Sequence, residues 1–151
     1  MHELTAGKSR MRGKVSMDIR ASILDVEAFR HLDDDSIDQL VSSSTVREAS
    51  ARSVIVPQGV QGEAVWVLIE GLVEVFKDRG RGRKESIAIL GKGDIFGEIS
   101  VISGMPTTAE IVAKEDCVAV NIPGDLLTRL IKSNIVMAAI FSSIFVKRLS
   151  S

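Results

Sequence analysis

The stretch VPQGVQGEAVWVLIEGLVEVF, residues 56–76, decides the fold class. It holds two apolar runs parted by one glycine. AVWVLIE is almost wholly apolar, the texture of a central strand covered on both faces. LVEVFK alternates instead, with Val73 and Val75 on one face, the period-two mark of a strand with one buried side. Gly71 lies between the runs and suits a tight turn that needs positive φ.

Similar runs surround this pair. SVIVP precedes it; SIAIL, EIVAK and CVAVNIP follow, each bounded by Gly, Pro, Asp or a charged cluster. CVAVNI alternates, placing Val118, Val120 and Ile122 together. Gly59 and Gly93 are assigned to turns. Many short strands at close spacing, over about residues 45–122, predict an antiparallel sandwich or barrel. Trp66 and Cys117 are expected in its core.

Helical spacing flanks the strands. Ile23, Leu24, Val26, Phe29 and Leu32 recur at helical intervals, as do Ile37, Leu40 and Val41 after DDDS. Asp34, Asp35 and Ser36 can accept the free amides of a first helical turn. Two short helices are therefore expected to open the domain. After Pro123-Gly124, Leu126, Leu127, Leu130 and Ile131 make one stripe. A second helix is expected from about Ser133, so the C-terminal helices cover about 124–150. Its apolar residues, among them Met137, Phe141 and Ile144, cover more than one face. Such a helix needs two partners: the barrel, and either a second subunit or another part of a longer protein.

The chain has 151 residues, 45% hydrophobic and 26% charged, with a net charge of -1. That suits one globular domain and supplies no global basic field for nucleic acid or membrane. One domain is expected over 19–151, preceded by a flexible tail over 1–18. No apolar run reaches transmembrane length. The single cysteine, Cys117, forms no internal disulfide, which points to the cytoplasm. The two histidines, His2 and His31, fall outside the strands. That pattern supplies no inward cluster of metal ligands and no nucleophile triad, so no enzyme and no cofactor are expected.

The order of helices, about eight short strands and two helices, together with VPQGVQGEAVWVLIEGLVEVF, ILGKGDIFGEISVI and AEIVAKEDC, resembles the cyclic nucleotide-binding domain family. That family includes the bacterial catabolite activator, protein kinase A regulatory subunits and cyclic nucleotide-gated channels. The resemblance covers about residues 26–149. It implies a mainly β fold with flanking helices, an antiparallel jelly roll, and a ligand held against a phosphate-binding cassette.

The cassette is FGEISVISGMPTTAE, residues 96–110. Gly97 lets backbone approach a ligand. A short helix from Glu98 would aim free amides at an anion. A carboxylate repels phosphate but accepts from a ribose hydroxyl, the job that the resemblance gives Glu98. The amides of Ile99 and Ser100 would lie near phosphate or ribose. By resemblance, the Thr108 hydroxyl and the Ala109 amide complete the cradle.

Thr107 departs from the pattern. Nucleotide-binding members carry an arginine here, and threonine supplies one hydroxyl in place of a charged fork. A hydrogen bond to a charged group contributes about 1.5–3 kcal/mol. Its loss predicts binding weaker by about ten- to a hundredfold. The Thr107 hydroxyl is expected to remain as a donor beside that of Thr108. Other cations stand in DRGRGRKE (Arg79, Arg81, Arg83, Lys84), which reads as a solvated hairpin tip or an anion patch, and at Lys114.

Two functions follow. One is a sensor module that binds cyclic AMP or cyclic GMP weakly and signals through its C-terminal helices to a homodimer mate or a partner protein. The other is a ligand-free interaction module, or part of a transcription regulator. This chain ends at Ser151, before any DNA-reading module would begin, so no DNA contact is expected from it.

Overall fold

The computed structural model describes residues 19–149; the tail expected over 1–18 and the last two residues lie outside them. The described residues open with α1 (Ile19–Leu24), a 3-10 turn (Glu27–His31) and α2 (Asp34–Ser43). The 3-10 turn stands where regular helix was expected. Arg30 reaches back there, its Nε donating to the Leu24 carbonyl at 2.7 Å and its Nη2 to the Asp25 carbonyl at 2.9 Å. It thereby caps carbonyls that α1 leaves free. The N-cap of α2 is Asp33, one residue before the expected start, accepting from the Ser36 amide at 2.8 Å.

Eight strands follow: β1 (Thr45–Ala49), β2 (Val54–Val56), β3 (Ala64–Glu70), β4 (Val73–Asp78), β5 (Lys84–Leu90), β6 (Ile95–Phe96), β7 (Glu110–Ala113) and β8 (Cys117–Pro123). They form two four-stranded antiparallel sheets, ordered β1-β8-β3-β6 and β2-β7-β4-β5. A short helix, α3 (Glu98–Ser103), interrupts the strands. Two helices, α4 (Gly124–Ser133) and α5 (Ile135–Leu149), close the described residues. No single helix among the described residues is long and apolar enough to cross a membrane.

The all-apolar run of β3 is explained by its place. Val65, Val67 and Ile69 face the helical layer, while Trp66 and Leu68 face the space between the sheets. β8 repeats this, with Val118, Val120 and Ile122 toward the helices and Cys117 and Ala119 inward. Fully burying one such large side chain stabilises by about 1.5–3 kcal/mol. Trp66 stacks on Phe96 with ring centroids 6.1 Å apart, so it is core. Gly71 makes the expected turn at φ +91°.

Helices α4 and α5 meet at a bend of 119°. Asn134 holds the corner. Its Oδ1 accepts from the Met137 amide and its Nδ2 donates to the His31 carbonyl, both at 2.9 Å. The corner turns Met137 and Phe141 into the core, and Phe141 lies 6.0 Å from Phe29, ring to ring. Ile135, Val136 and Val146 remain exposed on the other faces of α5.

Candidate ligand-binding site

The cassette runs from β6 through α3 and an extended loop into β7. Gly97 enters α3 at φ +86°, and a Cβ there would lie 3.0 Å from the Ala64 carbonyl oxygen. Both the backbone conformation and the crowding demand glycine. Gly104 ends the helix, its amide returning to the Ser100 carbonyl. All seven candidate residues, Gly97, Glu98, Ile99, Ser100, Thr107, Thr108 and Ala109, line one cavity. Much of the remaining lining is apolar, supplied by Val56, Val75, Leu90, Phe96 and Ile111. β5 adds to this lining through a register shift. Val75 pairs with Ala88 and Phe76 with Ser86, so Ile87 is the extra residue, and both Ile87 and Ala88 line the space.

Glu98 is 1% exposed. Arg148, in the last turn of α5, donates through Nη1 to both carboxylate oxygens, at 2.8 and 2.7 Å. Burial pushes the Glu98 carboxyl above its ordinary value; the Arg148 charge and the residue's own backbone amide oppose that shift. Burial prevails, so the carboxylate is held at some cost.

Thr107 behaves differently from the expectation. Its Oγ1 donates to the Pro57 carbonyl at 2.6 Å and accepts from the Val60 amide at 3.1 Å. Its amide donates to the Val60 carbonyl and its carbonyl accepts from Gly59, each at 2.8 Å. Every polar group of Thr107 thus ties the cassette to the β2–β3 loop, and the hydroxyl expected to remain for a ligand is already spent. Ser100 is likewise engaged: its Oγ donates to the Met105 carbonyl at 2.6 Å and accepts from the Gly62 amide at 3.0 Å. Thr108 is exposed at the cavity wall.

The other sequence candidates for a cation lie elsewhere. Arg79 pairs with Glu85 at 2.7 Å, Lys84 with Glu110 at 3.0 Å and Lys114 with Glu74 at 3.7 Å. Neither the DRGRGRKE cations nor Lys114 line the cavity. Lys77 and Arg148, both missed in the sequence, do. Lys77 carried a usable signal, since it follows Val73 and Val75 at period two and so shares their inward face. Arg148 carried none, because its position depends on the bend at Asn134.

Comparison with known proteins agrees with this architecture. The cyclic nucleotide-binding domain model matches residues 46–134, more than half of the chain. The chain is 30% identical over 91 residues to a cAMP-dependent protein kinase regulatory subunit of Mycosarcoma maydis; the match covers 60% of this chain and 17% of that protein. The chain thus spans a small part of the length of that relative. Among solved structures, catabolite activator protein of Thermus thermophilus is 26% identical with a TM-score of 0.70, covering 82% of this chain and 58% of the other. The regulatory domain of Toxoplasma gondii PKA with cAMP shares the fold at TM-score 0.77 and 20% identity, covering 89% and 51%. The family is regulatory, not catalytic. This chain belongs to the cyclic nucleotide-binding domain family.

Proposed function

We propose that this chain is a sensor module that binds a cyclic nucleotide, cyclic AMP or cyclic GMP, and reports occupancy through α5. The observation that carries this reading is the pairing of Glu98, a buried carboxylate in the cavity wall, with Arg148 at the end of α5. A ribose hydroxyl has one strong acceptor here, and that acceptor already holds the last helix. The base has apolar lining in the same cavity. A ligand that donates to Glu98 changes what the carboxylate offers Arg148, so occupancy and helix position are linked. Couplings of this kind are typically about 1–3 kcal/mol. Affinity is modest, because Thr107 supplies neither charge nor a free hydroxyl.

The exposed apolar residues Ile135, Val136 and Val146 fit a role for α5 as the output surface, taken by a second copy or a partner protein. The buried, unpaired Cys117 suits a reducing cytoplasm. The second reading, a ligand-free interaction module, is favoured by the closed hydrogen bonding of Thr107 and by Arg148 already satisfying Glu98.

The test is a calorimetric titration with cyclic AMP and cyclic GMP on the wild type and on Glu98→Ala. Saturable binding that is lost in the variant supports the sensor. No heat and no thermal stabilisation at millimolar ligand supports the interaction module.

A further inference from the structure

The cavity is lined by three charged residues: Lys77, Glu98 and Arg148. Two of them cancel, since Arg148 donates to both oxygens of Glu98. Lys77 remains. Among the described residues its ammonium has no hydrogen bond or ion pair. Its cross-strand neighbour Glu85 is held by Arg79.

Its position matters as much as its freedom. On β4, Val73, Val75 and Lys77 alternate onto the inward face, and both Val75 and Lys77 line the cavity. β4 pairs with β7, Val75 opposite Ile111 and Phe76 opposite Glu110. That register, continued one step past the end of β7, leads from Lys77 to Ala109, next to Thr108 in the chain. Both of those residues line the same cavity. This end of β4 is also tied to the loop that Thr107 braces, since the Asp78 amide donates to Gln58 Oε1 at 2.9 Å. Lys77 is half-buried at the cavity wall, the setting in which a lysine packs its methylene stem on apolar surface and keeps its ammonium in solvent.

We propose that Lys77, delivered from the neighbouring strand β4, is the cation that pairs with the ligand's phosphate, in the role that the cassette position of Thr107 does not fill. This rests on the sensor reading above. A lysine offers a mobile point charge, not a planar fork, so it attracts the anion without fixing its orientation. The cyclic phosphate would then lie between Lys77 and the Thr108–Ala109 segment, with the ribose toward Glu98.

The test compares cyclic AMP with adenosine, which shares base and ribose but carries no charge. Wild-type protein is expected to prefer cyclic AMP by about tenfold, the scale of one hydrogen bond to a charged group. Lys77→Gln should lose that preference with adenosine affinity unchanged, and Lys77→Arg should keep it. Should Lys77→Gln fold poorly, the wild type still decides. Its affinity for cyclic AMP, and not for adenosine, should fall as ionic strength rises. A preference that survives in Lys77→Gln, or a wild type that binds both compounds equally at every salt concentration, overturns the assignment and leaves the sensor reading intact. Binding of neither compound overturns both.

Discussion

Arg148 and Glu98 are 50 residues apart, yet one guanidinium nitrogen lies within 2.8 Å of both carboxylate oxygens. The pair joins the last turn of α5 to the first residue of the cassette helix. One partner is deeply buried and the other partly open to solvent, at 1% and 30% side-chain exposure. That asymmetry sets what each substitution does.

Glu98→Gln removes a carboxylate that burial holds above its ordinary value of 4.5. A folded-state value raised in this way means the native state binds the proton more tightly than the unfolded one. This group therefore favours folding most below pH 4.5, and that contribution is lost as pH rises through the raised value. Glu98→Gln should flatten this part of the stability–pH curve. Thermal melts of the two proteins from pH 4 upward check it; parallel curves would contradict it.

Arg148→Ala leaves the Glu98 charge buried without its counter-charge. Because Arg148 is partly solvated, the expected loss is about 1–3 kcal/mol, below that of a fully buried pair. The loss should shrink when Glu98→Gln is present as well, since the charge to be compensated is gone. A double-mutant cycle by urea denaturation measures this, and additive effects would show that the two residues do not interact.

Thr107→Arg places a charged fork at the cassette but cuts the bonds to Pro57 and Val60. Cyclic AMP affinity should rise by about tenfold or more. Stability without ligand should fall by about 1–3 kcal/mol, from the unpaired loop groups. Calorimetry and denaturation on the same sample separate these effects. Thr107→Val should show the stability loss without the gain in affinity.

Cys117 is 3% exposed, and burial pushes its thiol above the ordinary value. The Sγ lies 3.1 Å from both the Leu72 and Glu115 carbonyls, so the thiol has acceptors for its proton. An aromatic disulfide reagent at pH 8 should react slowly with the native protein and fast in denaturant. Fast reaction in the native state would contradict this placement.

Much of the fold was legible because burial on two faces leaves a plain mark. The unbroken apolar run Val65–Ile69 announced a strand between two layers, and the alternation of Val118, Val120 and Ile122 announced the face under the helices. The cassette was legible because Gly97 answers a local demand of φ and space. The charge chemistry was less so. Lys77 reads as a solvent residue until the strand period is followed one step past Val75. The Thr107 hydroxyl is a free donor in sequence and is closed only by a loop about 50 residues earlier. Arg148 reaches the cavity through a helix corner built on Asn134 and His31, contacts that no local pattern encodes.

The central claim is that pocket occupancy is felt by α5 through Glu98 and Arg148. Amide hydrogen exchange over residues 135–149, with and without saturating cyclic AMP, tests it most directly. The account predicts a change in protection in the last turns of α5 that disappears in Arg148→Ala. Saturable binding with the exchange of α5 unchanged would contradict it.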